Sequence, residues 1–445
     1  MKCCKCLKEM EKCQFTTNQL KKKSLDRSCK MCVDIRIKSS EEIIQDFLTW
    51  IKINKVNVTS TCIESITSEF RCVKSTRFIK KDAKVIKIPK CLLMTTIVAK
   101  ELDICKKLPN MHNHTWLALM LLTERDKGID SFWYPYIQML PRKLETVPLF
   151  YTQEKLKKLG TSFVRDMVDH TFKQIEKDFN VIKQENSWSL FDYMWARVIV
   201  ITRIFGIKIN GETTEALVPL ADMCNHTSTP NTSWSFDAHD DSFVMLCTRP
   251  ISNNIEITDS YGPKCNSRYF VNYGFTLPNN ELNNQAVLFF SNKDNTLGCN
   301  FDDGFSHYNI AIEHKWETKV SQNRMFRFQF NLVKGTKPHQ VSLTMINFLR
   351  SCNATKDELK SWKLENVETV LSIENETLTI DQLYNTIQHR LQELPIDCDS
   401  NTDIDQILNG EKCVLINFQN TLTTYKQRIK YSQHLNNAFK KTFIN

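Results

Sequence analysis

The sequence has little glycine and no long apolar run. Only 10 of its 445 residues are glycine, and neither an internal repeat nor a low-complexity linker is present. No apolar stretch approaches the ~20 residues that a membrane-spanning helix needs, and Met1-Lys2-Cys3 opens no signal-peptide pattern. These absences predict an intracellular protein, in the cytoplasm, the nucleus or both, with no membrane partner.

Composition sets further limits on the class of protein. The length predicts two or three domains, and 41% hydrophobic with 24% charged residues is ordinary for a soluble globular chain, which we expect to be a monomer. The 17 cysteines are an odd number, so reduced thiols and metal ligands are favoured over disulfides. A net charge of +9 favours acidic partners only weakly.

The first 38 residues form a separate segment rich in cysteine. Two Cys-x-x-Cys pairs, with 22 residues between them, supply four thiolates that can close a tetrahedral Zn²⁺ site: Cys3, Cys6, Cys29 and Cys32. The pattern is similar to small zinc-ribbon modules, which implies a structural Zn²⁺ and a docking role. The alternative is a cysteine-rich tail without metal. Nucleic acid is not indicated beyond the weakly basic character of this segment.

Two later stretches carry unusual polar motifs. In Ala216–Asn231, an apolar run leads to Asp222 and then to the pair Asn225-His226. Alone, that pair is typical of a strand that ends in an Asx-type turn. The second stretch, Ile255–Phe275, contains Tyr-Gly, Asn and Tyr-Gly-Phe motifs in close succession.

Together these stretches resemble the two halves of a SET-domain methyltransferase site. The order of landmarks is similar to the subfamily of Rubisco large-subunit methyltransferase-like and actin-histidine methyltransferase-like enzymes. The resemblance implies an α+β fold, in which a SET β-fold with a pseudoknot and a helical insertion precedes an all-α C-terminal lobe. It also implies S-adenosyl-L-methionine as the cofactor.

The order of patterns divides the chain into five segments. A capping box at Ser39 and Glu42 starts an amphipathic helix, and the C-terminal lobe is expected to bind a protein substrate. The predicted segments are the zinc-ribbon-like module 1–38, the N-terminal SET part 39–96, the helical insertion 97–200, the catalytic SET core 201–295 and the helical substrate-binding lobe 318–445.

Alternating residues in 70–95 predict short strands. The arrangement from Val73-x-Ser75-Thr76 to Ile88-Pro89 matches the first hairpin of the SET fold. The sequence departs from the family here, because Phe70-Arg71-Cys72 stands where a Gly-x-Gly normally lets the backbone approach the cofactor.

The resemblance assigns roles to individual residues. It implies that Arg203 lies against the carboxylate end of the cofactor, where a guanidinium can form paired hydrogen bonds. Asn225 and His226 would hold the amino-acid and adenine parts, and Asp222 would brace the turn. Tyr261 is the predicted catalytic residue, whose hydroxyl orients the acceptor amine.

The residues around the predicted acceptor favour lysine. The implied substrate channel contains Phe205, Ala221, Tyr273 and Phe275. In the histidine-modifying branch an Asn and a Trp stand at the first two positions. An aromatic wall beside a small residue suits an aliphatic stem better, so we predict a protein-lysine N-methyltransferase acting on a non-histone or histone protein. The alternatives are a protein-histidine N-methyltransferase and a catalytically weak SET-fold binding module.

Overall fold

A computed structural model describes most of the chain and divides it into two compact units. The first unit comprises Met1–Lys143 and Glu185–Tyr261, and the second comprises Leu144–Gln184 and Gly262–Asn445. The five segments named from the sequence stay a prediction. The described residues are 38–56, 60–67, 69–209, 211–278, 280, 284–291, 325–330, 345–347, 349–350, 353–355, 357–358, 370–395, 402–431 and 434–444.

Ten short strands build the described β-structure of the first unit. They are β1 (Thr61–Ser65), β2 (Arg71–Ser75), β3 (Lys84–Pro89), β4 (Met94–Thr95), β5 (Ile204–Ile209), β6 (Glu212–Leu217), β7 (Asn225–His226), β8 (Thr232–Asp237), β9 (Ser242–Cys247) and β10 (Thr258–Asp259). The sheet orders are β1-β2, β3-β9-β8, β4-β6-β5 and β7-β10. The pairing of β7 with β10 is parallel, whereas the other pairs are antiparallel.

One prediction about this region is wrong. The segments around Val73 and Ile88 are strands, but they do not form a hairpin with each other. β2 pairs with β1, in a register that places Val73 opposite Ile63, and β3 pairs with β9, which places Ile88 opposite Phe243. Strand patterns indicate which residues extend, but the choice of partner depends on contacts far away in the sequence.

Helices surround these sheets in the first unit. In chain order they are α1 (Ser40–Ile53), α2 (Thr96–Lys100), α3 (Asp103–Lys106), α4 (Asn113–Lys127), α5 (Tyr134–Met139) and, after two helices of the second unit, α8 (Leu190–Arg203). The capping box predicted for α1 is confirmed, since Glu42 N–H donates to Ser39 Oγ at 3.2 Å and Ser39 N–H donates to the Glu42 carboxylate at 2.9 Å.

The core of the first unit includes α4 and α8. All residues from Thr115 to Leu122 on α4 and from Tyr193 to Val200 on α8 are buried, as expected for helices with neighbours on every side. The Tyr193 hydroxyl donates to Thr115 Oγ1 at 3.2 Å and joins the two helices. α8 ends where the chain becomes extended at Ile204.

The second unit is mainly helical in its described part. Its helices are α6 (Gln153–Lys157), α7 (Phe163–Ile182), α9 (Asn266–Tyr273), α10 (Ile373–Glu393), α11 (Asp403–Tyr431) and α12 (Leu435–Phe439), and its antiparallel strands are β11 (Ala286–Ser291) and β12 (Met325–Phe330). The predicted helical C-terminal region is confirmed. No helix among the described residues is both long and apolar enough to cross a membrane.

Two buried ion pairs stabilise the helices of the second unit. The Arg350 guanidinium donates to both oxygens of Glu376, at 2.6 and 2.8 Å, and both side chains are fully buried. Arg390 forms a 3.1 Å ion pair with Glu411, which also accepts a hydrogen bond from Ser162. Because a buried charge left without its partner costs about 3–5 kcal/mol, these pairs strongly oppose rearrangement of the helices.

Gly274 provides a test of how closely the end of α9 packs against Thr146 within the second unit. It ends α9 with a φ of 77°, and a Cβ there would lie 2.7 Å from the backbone of Thr146. We expect Gly274→Ala to lower the free energy of unfolding by about 2 kcal/mol or more, because strain and overlap add. Gly206→Ala is the matched control, since nothing lies within 4 Å of its added Cβ. Equal urea-unfolding curves for the two variants would contradict the expectation.

Candidate active site

The parallel pair β7-β10 brings the two polar motifs of the sequence together. Asn225 lies opposite Thr258 and His226 opposite Asp259. The Thr227 N–H donates to the Asp259 carbonyl at 3.0 Å and extends the pairing. Residues from two distant stretches of the chain therefore share one short sheet within the first unit.

Tyr261 is held directly beside this pair. Its N–H donates to His226 Nδ1 at 3.0 Å, so the neutral imidazole carries its proton on Nε2. The two ring centroids are 5.2 Å apart. The Tyr261 hydroxyl donates to the Cys224 carbonyl at 3.1 Å, which fixes the direction of the O–H bond.

The Asn225 side chain connects the β7-β10 sheet to Phe70-Arg71-Cys72, the triplet that stands in place of the Gly-x-Gly expected from the SET resemblance. Its Nδ2 donates to Glu256 Oε1 at 2.7 Å and to the Arg71 carbonyl at 3.3 Å. The Asn225-His226 motif and the triplet Phe70-Arg71-Cys72 are therefore in contact. Within that triplet, Cys72 is buried and Phe70 is exposed.

Arg203 and Asp222 form the charged part of the site. Arg203 Nη1 donates to the Asp222 carbonyl at 2.8 Å and approaches Asp222 Oδ2 at 3.3 Å, while the Tyr136 hydroxyl donates to Oδ2 at 2.8 Å. Burial raises the pKa of Asp222, and the Arg203 charge opposes that rise. Asp222 thus braces the turn before Asn225 through both its backbone and its side chain.

Two buried atoms of this cluster lack a hydrogen-bond partner within the described part of the chain. They are Arg203 Nε and Asp222 Oδ1. Burial and the charge of Arg203 lower the pKa of Arg71, so two guanidinium groups are close enough to repel each other. An anion between or beside them would relieve that repulsion and could accept from Arg203 Nε.

The backbone before Asp222 is strained. Leu220 has a φ of 74°, in the region that L-residues with side chains rarely adopt. It leads into a short 3₁₀ turn, Ala221–Met223, and the Ala221 side chain is fully buried. Strain of this kind persists only where surrounding contacts enforce it, and it concentrates at functional sites.

Phe205 stands in an aromatic cluster of the first unit. Its ring centroid lies 5.3 Å from that of Trp234 and 5.2 Å from that of Phe243, both edge-on. Phe205 is itself buried. Its ring therefore offers an apolar surface with no hydrogen-bonding group, and its place in a substrate channel stays a prediction.

The sequence analysis missed two carboxyl groups next to the motifs. Glu256 holds Asn225, and Asp259 is buried in β10, where burial raises its pKa to about 6. The Ser260 N–H and the Trp234 indole oppose that rise in the pKa of Asp259. The signal in the sequence was the position of Asp259 two residues before Tyr261.

Tyr273 and Phe275 belong to the second unit. The ring of Phe275 stacks on that of Tyr269 at 5.3 Å and lies 6.0 Å from that of Tyr273. Burial raises the pKa of Tyr273 to about 12. Their predicted role in the channel stays a prediction.

The predicted zinc ligands Cys3, Cys6, Cys29 and Cys32 lie outside the described residues. Within the described ranges, no group of three or more His, Cys, Asp or Glu side chains could hold a metal ion.

Comparison with protein families defines the class of protein. Residues 71–262 match the SET domain, and residues 313–412 match the Rubisco LSMT substrate-binding domain. The chain therefore combines a SET domain with a substrate-binding region of that type, and the predicted SET-domain fold is confirmed.

Curated relatives are actin-histidine N-methyltransferases. The protein of Rhinolophus ferrumequinum is 28% identical over 341 residues, and that of Homo sapiens is 26% identical over 340 residues. Each alignment covers 72% of this chain and 54% of the relative. The chain thus spans about half the length of the curated relatives it matches.

Solved structures share the fold. The SET domain of LSMT bound to lysine and AdoHcy superposes with a TM-score of 0.72 at 17% identity, covering 91% of this chain and 96% of that one. Rubisco LSMT bound to AdoMet gives a TM-score of 0.69 at 17% identity, with 90% and 96% covered.

The raised pKa of Asp259 predicts how stability depends on pH. Between about pH 4 and 6 the native carboxyl keeps a proton that the unfolded chain has lost, so the free energy of unfolding falls as pH rises. Relative to Asp259→Asn, the wild type should lose about 2 kcal/mol between pH ~4.5 and ~7. Urea unfolding of both proteins at several pH values measures this. A difference that does not change with pH would contradict the prediction.

Proposed function

We propose that this protein is an S-adenosylmethionine-dependent protein N-methyltransferase. The observation that carries the proposal is the β7-β10 pairing, which gathers Asn225, His226 and Tyr261 beside the Arg203-Asp222 cluster within a SET fold. The matching substrate-binding region supports a protein as the substrate.

The residues present fit the cofactor. Its carboxylate is an anion that Arg203 Nε could bind, with Arg71 adding a second positive charge. Asn225 and His226 would hold the rest of its polar groups. When bound, S-adenosylmethionine supplies a methyl group made electrophilic by its sulfonium sulfur. Phe70 and Cys72 stand at the two glycine positions of Gly-x-Gly, and the guanidinium of Arg71 between them would favour the same anionic group.

Tyr261 would position the methyl acceptor. Its hydroxyl donates to the Cys224 carbonyl, and a phenol oxygen that donates can still accept from an acceptor N–H. Aligning a nucleophile in this way contributes several kcal/mol to a displacement reaction. Buried Ala221 and Phe205 would keep water away from that nucleophile.

Histidine is the first candidate acceptor. The curated relatives are named for activity on an actin histidine, and this supports the histidine alternative over lysine. Lysine remains a second candidate because Phe205 has no group that could hydrogen-bond an imidazole. An aliphatic stem needs no such partner.

Asn225→Ala tests cofactor binding. We expect micromolar binding of S-adenosylmethionine by calorimetry in the wild type and a loss of about tenfold or more in the variant, because one side-chain hydrogen-bonding group is removed. Phe191→Ala, at an exposed position, is a control that should bind normally. No binding by the wild type at millimolar cofactor would favour the binding-module alternative.

Tyr261→Phe tests the catalytic assignment. Removing the hydroxyl should abolish most methyl transfer, by about 100-fold or more, while cofactor binding stays within about twofold. The variant loses the hydrogen bond to Cys224, so its melting temperature is measured as a control for folding. Wild-type turnover in this variant would overturn the role of Tyr261.

The acceptor is identified by a transfer reaction. Unmethylated recombinant actin and a desalted cell extract are each incubated with the protein and methyl-labelled S-adenosylmethionine, and digests are analysed by mass spectrometry. Label on histidine supports the first candidate, and label on lysine supports the second. No label on any protein would contradict methyltransferase activity.

A further inference from the structure

Glu256 is a carboxyl group beside the SET motifs that the proposed reaction does not use. Its Oε1 accepts a hydrogen bond from Asn225 Nδ2 at 2.7 Å. A distance this short is typical of a hydrogen bond to a charged group, which is stronger than one between neutral groups. The carboxylate therefore holds the side chain of a residue that is assigned to the cofactor.

The orientation of the Asn225 amide follows from its two partners. Nδ2 lies 2.7 Å from Glu256 Oε1 and 3.3 Å from the Arg71 carbonyl oxygen. A carboxylate and a carbonyl can only accept hydrogen bonds, so the NH₂ group of the amide must face them and the oxygen cannot. Both N–H bonds of the Asn225 side chain are therefore used within the protein.

The oxygen of the same amide is left for a ligand. Asn225 is half-buried, and among the described residues no donor reaches its Oδ1. A group that binds there must donate a hydrogen bond, because Oδ1 can only accept. The negative charge of Glu256 polarises the amide through the shared hydrogen bond and makes Oδ1 a better partner for a positively charged donor.

The backbone of Glu256 is anchored at two points. Its carbonyl accepts from Asn231 Nδ2 at 2.8 Å, and the next residue, Ile257, donates its N–H to the Val73 carbonyl at 2.8 Å. Asn231 is itself buried and accepts from the Thr258 N–H at 2.8 Å. The carboxylate thus projects from a fixed segment, as a group that orients another side chain requires.

The ammonium is the one group of the cofactor that both donates hydrogen bonds and carries a positive charge. The sulfonium is cationic but has no N–H, and the adenine amine donates but is neutral. The ammonium and the carboxylate of the cofactor share one carbon, so their protein partners must lie close together. Asn225 Nδ2 contacts the backbone of Arg71, whose guanidinium is assigned to the carboxylate.

Resting on the proposed function, we propose that Glu256 is a positioning residue that orients the Asn225 amide so that Oδ1 accepts a hydrogen bond from the ammonium of the cofactor. Glu256 acts through Asn225 and does not itself touch the cofactor. The site therefore selects a cofactor whose amino-acid end is intact.

Glu256→Gln tests this orientation. A glutamine amide can donate as well as accept, so it allows the Asn225 amide to turn and present Nδ2, which repels an ammonium. We expect calorimetric binding of S-adenosylhomocysteine to weaken by about tenfold or more. Glu64→Gln is the matched control, since it removes an exposed carboxylate that pairs with Lys74 at 2.8 Å. It should bind as the wild type does.

A double-mutant cycle separates positioning from direct contact. If Glu256 acts only through Asn225, adding Glu256→Gln to Asn225→Ala should weaken binding of S-adenosylhomocysteine no further. Losses of affinity that add fully would mean that Glu256 acts on the cofactor independently of Asn225. That result would overturn the positioning role.

A second ligand separates this role from a general structural one. The deaminated analogue of S-adenosylhomocysteine keeps the adenosine, the sulfur and the carboxylate but lacks the ammonium. Its affinity, measured by displacement of labelled S-adenosylhomocysteine, should agree within about twofold between the wild type and Glu256→Gln, because the hydrogen bond in question is absent from both complexes. Equal losses for the two ligands would show that the variant disturbs the whole pocket, which would overturn the proposal.

The outcomes also separate this inference from the proposed function. A loss of S-adenosylhomocysteine affinity in Glu256→Gln that is absent in the Asn225→Ala background and absent for the deaminated ligand supports the positioning role. Wild-type affinity in Glu256→Gln would overturn that role and leave the proposed function standing. A wild type that binds no S-adenosylhomocysteine at millimolar concentration would overturn both.

Discussion

The parallel hydrogen bonding of β7 with β10 determines where the polar groups of the site stand. These strands are two residues each, yet they set the register of Asn225, His226 and the segment that ends in Tyr261. A shift by one residue would turn each side chain of β10 to the opposite face. The bond from the Tyr261 N–H to His226 Nδ1 would then be lost. The fold must therefore specify this pairing through larger neighbouring sheets.

The buried charged pair Arg350-Glu376 of the second unit is complete, whereas the Arg203-Asp222 cluster of the first unit is incompletely paired among the described residues. In the second unit, Arg350 and Glu376 satisfy each other completely, which stabilises one arrangement of helices. In the first unit, Asp222 is paired with Arg203 and Tyr136, but one oxygen and one guanidinium nitrogen are left without partners among the described residues. The incomplete pair lies beside the SET motifs, where an anionic ligand can complete it.

Local features of the chain were predictable. The capping box at Ser39 works through a contact three residues away, so it can be inferred from the sequence, and the helix begins where predicted. The buried residues of this helix are Ile43, Phe47, Trp50 and Ile51. The ring of Phe47 lies 6.5 Å from the ring of Tyr136, which is distant in sequence, so the capping box does not determine which face is buried. The false hairpin has the same cause.

The sequence by itself determined the SET-domain class, the helical C-terminal region and the motif residues, because these depend on residue types and order. Only the tertiary structure decided which groups face each other: Arg203 with Asp222, Asn225 with Glu256, and Phe205 with Trp234. Those contacts join segments far apart in the chain, and no local pattern encodes them. The environment of Asp259 shows this most clearly, since a carboxyl group in a sequence is ordinary, and only its burial in the fold raises its pKa.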